Sequence, residues 1–440
     1  MSEYSPSSLE RFHIQLKPHP RARDQVVAAT DFVEGSVVFE QTALATAILT
    51  SEKGKRCDAC CRLPLDKPLR RCSGCAEYFY CDEHCQRYHW HKNHKRICNS
   101  FASYSTTSIG SLHEHSRMDA ILLSHLLAQI TPEDLTTDSS PVQTLLSLLP
   151  SPQQDQPAPP SCNRPSFVPS ILVQSLFVRF QNNNFAMHSH MSTFGHGIFP
   201  LASRLFNHSC VPNAAARYIL RPLEPVKMEI VALRPIAIGE EICIPYVDPA
   251  LLETRQQIFK LSYGFECRCP SCQFLGRASK NQLPESADSN STDLEAGLRE
   301  FSGVDDGSIT RLRTSILQET VPPHLYGALK ETFISSLSKK FTDAAHDGPY
   351  RIAHSAGAAL LALYLIIYPD NYPQIGMHLL ELAKVVWNDI IQNGEDRVKR
   401  RIARNYATAS RGVLSVFGEE GDAGGPLSEL ALLEDLLWNS

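Results

Sequence analysis

Fourteen cysteines stand in 440 residues, and their spacing is the first sign of chemistry. Cys57-x2-Cys60, Cys72-x2-Cys75, Cys81-x3-Cys85 and His94-x3-Cys98 follow one another between residues 57 and 98. Two-residue gaps place paired thiolates on tight turns. Three-residue gaps put both donors of a pair on one helix face, about one turn apart. Seven thiols and one imidazole suffice for two tetrahedral zinc sites. The stretch is too short and polar to build its own core, so metal must supply folding energy. Further on, Cys267-x-Cys269-x2-Cys272 offers three donors where a structural zinc takes four. Between these groups lies Asn207-His208-Ser209-Cys210-Val211-Pro212-Asn213. Pro212 fixes its own φ and biases Val211 away from helix. The segment is therefore a tight polar connection that can offer amides and carbonyls to a ligand. Taken alone, it is equally a polar turn beside a buried cysteine.

The rest of the composition bounds the problem. A hydrophobic content of 43% and a charged content of 20% are ordinary for a soluble globular protein of two or three domains. The net charge of −5 gives no global polycation, so nucleic acid is not expected as the main ligand. Met1 to Pro6 lacks the basic-then-apolar pattern of an export signal. Clustered cysteines in a reducing compartment hold metal more often than disulfides. The longest apolar run, Ala356 to Tyr368, is too short to span a bilayer and is expected to be a buried helix, ending at Pro369.

The elements that must position these residues follow from periodicity. Val26 to Thr30 and Ser36 to Glu40 flank a turn-like Asp31 to Gly35, a pattern that suits a β-hairpin. Met118, Ile121, Leu122, His125 and Leu126 share a helical face, with His125 expected as a satisfied core histidine. Pro150 to Pro169 is rich in Pro, Gln and Ser and is expected to be disordered, with helix returning over Ser170 to Phe180. Lys92, Lys95 and Arg96 line the helix that closes the first cysteine stretch, as a solvated face. Strand-like alternation runs through Arg217 to Ile219 and Met228 to Ala232. Gly239-Glu240-Glu241-Ile242-Cys243-Ile244-Pro245-Tyr246 follows. Residues 251–263 suit a helix, 274–308 a polar loop, and the chain from Ser308 onward more helices, including an amphipathic face of Leu379, Leu382, Ala383 and Val386.

Together these strings resemble the SET- and MYND-domain (SMYD) family. Asn207 to Asn213 and the Gly-Glu-Glu string ending in Tyr246 are similar to the two hallmarks of the SET core. The cysteine series with Tyr80-Cys81, Cys85-Gln86 and Trp90 resembles a MYND zinc finger. The family has two residues between the Trp and the ligand His, whereas three separate Trp90 from His94, which makes His91 a rival ligand. The resemblance implies an α+β fold. A β-rich SET domain (1–50 and 191–250) is interrupted by a MYND finger (51–98) and a helical insert (99–190, with a disordered loop about 150–169). A zinc-binding post-SET segment (251–280) and an α-helical C-terminal domain (281–440) follow.

The same resemblance implies the site. Cys57, Cys60, Cys81 and Cys85 hold one zinc; Cys72, Cys75, His94 and Cys98 hold a second; Cys210 joins Cys267, Cys269 and Cys272 as the fourth ligand of a third. Three cysteines, Cys61, Cys162 and Cys243, are left outside these sets. The implied cofactor is S-adenosyl-L-methionine, contacted by Asn183, Asn207, His208, Tyr246 and Phe265. Tyr246 orients the amine and methyl, and Tyr263 is the second wall of a lysine channel. The family's Gly-x-Gly before the first strand is missing: Arg21-Ala22-Arg23-Asp24-Gln25 stands there. An arginine, Arg23 before Arg21, is expected to meet the cofactor carboxylate, with Asp24 turned to solvent. The implied activity is protein-lysine methylation of a histone or another protein. A proline-rich peptide is the expected partner of the finger, and the chain is expected as a monomer in nucleus and cytoplasm, without membrane attachment. The missing glycines leave a second reading open, a zinc-held scaffold for protein–protein contact with little or no catalysis.

Overall fold

A computed structural model describes residues 9–20, 22–65, 67–153, 155–280, 291–304, 320–394 and 396–439. Twelve short strands form five small sheets among them. The central one orders β10 (Ala214–Ile219), β11 (Lys227–Ala232) and β3 (Val37–Thr42), antiparallel throughout, with an irregularity at Ile230/Val231. A second orders β4 (Ala45–Ile48), β8 (Ser192–Ile198) and β7 (Asn184–Ser189). β1 (Ile14–Pro18) pairs with β2 (Asp24–Ala28), β5 (Arg70–Arg71) with β6 (Phe79–Tyr80), and β9 (Asn207–His208) runs parallel to β12 (Cys243–Ile244). The expected hairpin of residues 26–40 is corrected here. β2 pairs backwards with β1, and β3 pairs forwards with β11, so the intervening turn joins two sheets.

β4 and β8 enclose the whole segment 49–191 between them. Their approach is tight: a Cβ at Gly195 would stand 2.5 Å from the Ala47 carbonyl, and one at Gly197 would meet Phe199 and Met187. Glycine is required there for backbone contact. The enclosed segment opens with the cysteine-rich finger and continues into α3, described below. Ala45, Ala47 and Ile198 from the sheet share one apolar cluster with Cys57, Tyr78 and Leu122 from the insert. The finger therefore completes one face of the sheet.

Within the finger, α1 (Glu83–His89) is capped by the Asp82 side chain, which accepts from Cys85 N at 2.9 Å. Cys81 thus precedes the helix, and the pair Cys81/Cys85 straddles a cap instead of sharing a helix face. A π-helical turn over Trp90–His94 then leads into α2 (Lys95–Ser103). That turn absorbs the additional residue between Trp90 and His94. The expected solvated face is only partly so: Lys92 is half-buried, whereas Arg96 is exposed and reaches the carbonyls of Ala128 and Ile130. α3 (Glu114–Gln129) is buried nearly all round. His125 in it is satisfied twice, by the Tyr78 hydroxyl and the Thr46 carbonyl, each at 2.7 Å. The short helices α4 (Pro132–Thr136) and α5 (Pro141–Ser147) follow, then a stretch without regular structure, then α6 (Ser170–Phe180). The described part of 150–169 is tied down instead of disordered: Ser151, Cys162 and Val168 are buried, and Cys162 N donates to Ser124 Oγ at 2.9 Å.

After the core strands, α7 (Pro200–Leu205) having preceded β9, the chain forms α8 (Arg255–Ile258) and a π-helical turn over Phe259–Tyr263. Of residues 274–308, expected as a loop, 281–290 and 305–308 lie outside the described residues, and the described part carries helix instead, in α9 (Pro270–Lys280) and α10 (Ser291–Ser302). Phe274, Ala278, Leu294 and Leu298 lie on their inner faces, and burying them against the next helices outweighs the polar composition. A helical bundle completes the described chain: α11 (Glu331–Asp347), α12 (Tyr350–Ile367), α13 (Pro373–Asn393), α14 (Arg397–Phe417) and α15 (Pro426–Asn439). α12 is long and apolar enough to cross a membrane by composition, and it starts six residues before the apolar run proper. It lies inside the bundle, where a Cβ at Gly357 would meet Phe341 at 2.6 Å and Leu382 at 2.7 Å. Its apolar circumference is thus explained by burial.

The segment between α14 and α15 joins all three parts. Asp422 accepts from Leu63 N at 3.0 Å and Ser189 Oγ at 2.8 Å, and pairs with Arg56 of the finger. Glu420 accepts from His190 N, and its carbonyl accepts from Leu220 N at 2.8 Å.

Candidate functional site

Three groups of side chains converge, each with its four donor atoms within 4.8 Å of one another. They are Cys57, Cys60, Cys81 and Cys85; Cys72, Cys75, His94 and Cys98; and Cys210, Cys267, Cys269 and Cys272. A tetrahedron of metal–sulfur bonds of about 2.3 Å spaces its sulfurs about 3.8 Å apart. Cys60 and Cys81 lie 3.8 Å apart, Cys72 and Cys98 3.8 Å, Cys210 and Cys272 3.6 Å, and Cys210 and Cys267 4.0 Å. His94 Nε2 stands 3.4 Å from Cys72 and 3.6 Å from Cys75. All three groups therefore have the donor set and spacing of a zinc site. His91 is exposed and outside them, and Cys61 is buried apart from them.

The third group sits directly beneath the Asn207–Asn213 loop, because Cys210 belongs to both. β9 and β12 bring this loop alongside the strand that leads to Tyr246. Asn213 fastens the crossing: its Nδ2 donates to the Glu241 carbonyl at 2.8 Å and its Oδ1 accepts from Cys243 N at 2.9 Å. Ser209 N donates to Ile244 O at 3.1 Å. Asn207 Nδ2 donates to Asp24 O and to Glu241 Oε1, both at 2.8 Å. His208 is the hinge of the arrangement. Its Nδ1 accepts from Tyr246 N at 3.0 Å, which assigns the proton to Nε2, 3.2 Å from Cys210 Sγ. Burial holds its pKa down at about 4, so the ring is neutral at pH 7 and keeps this tautomer.

An aromatic wall surrounds His208. Its ring centroid lies 4.3 Å from Phe259, 5.3 Å from Tyr246 and 6.1 Å from Phe265. Tyr246 and Tyr263 are 5.1 Å apart, and Phe259 stacks on Phe265 at 5.1 Å. The π-helical turn over 259–263 places Phe259 and Tyr263 toward this group together, and Gly264 then turns the chain with φ +74° to bring Phe265 back. The Tyr246 hydroxyl donates to the Phe206 carbonyl at 2.7 Å. Burial, with Tyr263 beside it, pushes the Tyr246 hydroxyl well above the usual phenol range, so it remains a donor. Burial raises Tyr263 as well.

Sequence reasoning placed Tyr246, Tyr263, Phe265, Asn207, His208 and Cys210 here, and the structure brings them into one group. One expectation, that Asp24 faces solvent, is corrected, and Asn183 is placed at a helix end. Asn183 Nδ2 donates to Arg179 O at 2.6 Å and Leu149 O at 3.3 Å, so its amide nitrogen closes the end of α6. Its carbonyl accepts from Ser203 Oγ at 3.0 Å. Asp24 is half-buried and paired with Arg204, not turned to solvent. Arg23 is exposed, with Nη1 3.0 Å from Ser147 O. Arg21 lies outside the described residues. Phe259 and the pair Asp24/Arg204 were missed; Phe259 stands four residues before Tyr263, a helical spacing that could have exposed it.

The aromatic faces of Tyr246, Tyr263 and Phe265 are half-buried. Such faces suit a cationic sulfonium and an adenine ring, so the residues present fit S-adenosylmethionine in chemical kind. Comparison with known proteins identifies the family. The SET domain family matches residues 24–247. N-lysine methyltransferase SMYD2-A of Xenopus laevis is 27% identical over 278 residues, 61% of each chain. Histone-lysine N-methyltransferase ASHR1 of Arabidopsis thaliana is 26% identical over 281 residues, 61% of this chain and 56% of that protein. Histone-lysine N-methyltransferase SMYD3 of Homo sapiens is 28% identical over 265 residues, 56% of this chain and 58% of that protein. The chain thus spans about three-fifths of the length of these relatives.

Proposed function

Because the chain belongs to the SET domain family, we propose that it is a protein-lysine methyltransferase that uses S-adenosyl-L-methionine. One observation carries the reading. His208, in the loop expected to hold the cofactor, accepts the backbone N–H of Tyr246, the residue expected at the transfer centre. A single hydrogen bond thus sets the distance between the two halves of the site. The names of the relatives as lysine methyltransferases support the same class.

The cofactor, when bound, supplies an electrophilic methyl group on a sulfonium. This chain's residues have three tasks. Asn207 and His208 hold the cofactor loop, themselves braced by Asp24, Glu241 and Tyr246. Tyr246 and Tyr263 wall a channel for an incoming lysine. A lysine amine is charged at neutral pH, and a nucleophile must be neutral; desolvation between two aromatic rings favours the neutral amine. In this reading the Tyr246 hydroxyl, kept protonated by burial, orients the amine and the methyl group. The zinc ions are scaffold in this reading, three per chain.

The groove between His84, Arg87, Tyr88, His91 and Lys92 of the finger and Leu223 of the β10–β11 connection is the proposed seat of a proline-rich peptide. Tyr88 and Leu223 offer the flat apolar contacts such segments use. Monomeric state and a distribution over nucleus and cytoplasm are proposed alongside.

Calorimetry with S-adenosylhomocysteine on zinc-replete protein tests the cofactor assignment. Micromolar-range binding is expected, weakened by Arg23→Ala if that guanidinium meets the carboxylate. Asp24→Ala, which releases Arg204, should also weaken it by loosening the Asn207 contact. Absence of binding in repeated zinc-replete preparations would leave a scaffold in place of an enzyme.

A further inference from the structure

Arg255 is a fully buried arginine, with no exposed side-chain area. Its Nη1 donates to Pro249 O at 2.9 Å and its Nη2 to Ser271 Oγ at 2.9 Å, and its Nε is buried without a partner. Both acceptors are neutral. Among the described residues no carboxylate forms an ion pair with it. A buried guanidinium cannot shed its proton, so its charge must be compensated by something nearby.

The loop that Arg255 holds through Ser271 carries anionic chemistry of its own, the third cysteine group. Ser271, the hydroxyl that Arg255 grips, lies between Cys269 and Cys272. Four thiolates around one divalent zinc leave a net charge of about −2. The next residue along α8 holds the same loop: Gln256 Nε2 donates to Cys267 O at 2.7 Å and Gln256 Oε1 accepts from Cys267 N at 3.1 Å. Two neighbours on one short helix thus grip the start and the end of the metal loop, Gln256 through its amide and Arg255 through its guanidinium.

We propose that Arg255 is the charge partner of the zinc centre formed by Cys210, Cys267, Cys269 and Cys272, and sets its metal affinity. The inference rests on the third zinc site of the proposed function. It gives the chain a positioning residue. Arg255 holds the centre, Cys210 is in the centre and also faces His208 Nε2, and His208 meets Tyr246 N. The chemistry specifies a divalent metal that takes four thiolates.

The test uses the full chain and measures metal by emission spectroscopy after dialysis against graded chelator. Arg255→Gln keeps a side-chain donor and removes the charge; Arg255→Lys keeps the charge; Ser271→Ala removes a hydrogen bond and leaves the charge. Cys272→Ser marks loss of the third ion. Wild type is expected with three ions, and Cys272→Ser with two. Arg255→Gln should release the third ion at chelator concentrations ten- to a hundredfold lower, the usual cost of removing an outer partner of a metal ligand. Arg255→Lys should recover most of the difference, and Ser271→Ala should stay near wild type. Far-ultraviolet circular dichroism verifies that each variant is folded. If Arg255→Gln holds its third ion as firmly as wild type while Cys272→Ser loses it, the zinc site stands and the role of Arg255 falls. If lysine is as poor as glutamine, packing and not charge explains the residue, which also overturns the proposal. A wild type with only two ions, unchanged by Cys272→Ser, would remove the third zinc site and the proposal with it.

Discussion

Replacing Tyr246 by phenylalanine separates what the hydroxyl does from what the ring does. The ring contacts with His208, Tyr263 and Phe265 should survive, since their centroid distances of 5.1 to 6.4 Å depend on the aromatic carbons. One hydrogen bond disappears, from the hydroxyl to the carbonyl of buried Phe206. An acceptor left unsatisfied in the interior costs about 1–3 kcal/mol. In a domain of 150–250 residues each kcal/mol moves the midpoint by about 2–4 °C, so a fall of a few degrees is expected. Phe206 immediately precedes Asn207, so the loss falls on the entrance to the cofactor loop. Binding of S-adenosylhomocysteine should weaken only a few-fold, because Asn207 keeps Asp24 and Glu241 and His208 keeps the Tyr246 N–H. Methyl transfer to a peptide should fall far more, by about tenfold to a thousandfold, the range of preorganised hydrogen bonds at a reacting centre. Thermal unfolding, calorimetry and single-turnover transfer on one preparation read the three quantities separately. Full turnover in the variant would refute the catalytic role of the hydroxyl. A collapse of cofactor binding with unchanged transfer at saturation would show instead that the hydroxyl serves only the loop.

Other expectations are more local. Cys210→Ser should lower both zinc content and cofactor affinity, because Cys210 faces His208 Nε2 at 3.2 Å; unchanged values in both measurements would make Cys210 a plain core thiol. Metal analysis should return three zinc ions per chain, and a strong chelator should unfold the finger first, seen as early loss of signal from Trp90. Glu420 carries a pH dependence: burial lifts its carboxyl from 4.5 to about 7. The folded state therefore binds a proton that the unfolded state has released between those values. The stability contributed is fully present below about pH 4.5, is lost as pH rises through about 7, and amounts to about 3 kcal/mol at most. Glu420→Gln should flatten that part of the profile in denaturant titrations from pH 4 to pH 8, and a variant profile parallel to wild type would reject the assignment.

The metal ligands were legible because zinc coordination imposes its spacing on the chain locally. The π-helical turn at Trp90–His94 shows the limit even there: the count between Trp90 and His94 is visible in sequence, but the way a helix absorbs it is not. Tyr246 and the Asn207–Asn213 loop were legible as strings. Their meeting depends on a parallel pairing of two-residue strands that no periodicity announces. The mistaken hairpin has the same origin. β2 and β3 are good strands with a good turn between them, yet each finds its partner elsewhere in the chain. Asp24 could not be placed because its cation, Arg204, lies far along the sequence. Arg255 could not be placed because an arginine in a polar helix gives no sign of complete burial. The helices over 270–280 and 291–302 were hidden by polar composition, their buried positions being few and widely spaced.

The pairing of β4 with β8 across segment 49–191 bears on the order in which this chain can assemble. Ala45 and Ala47 are synthesised early and must wait for Ile198. If the intervening chain stayed open, closing so long a loop would cost entropy growing as about (3/2)RT ln n. A finger that has already folded around its metal draws the two ends together and shortens the effective loop. It also presents the apolar surface on which Ala45, Ala47 and Ile198 come to rest. Zinc supply during synthesis should therefore govern how fast the sheet closes, and a chain made in zinc-poor cells should leave β4 as an unpaired edge, exposed to association with other chains.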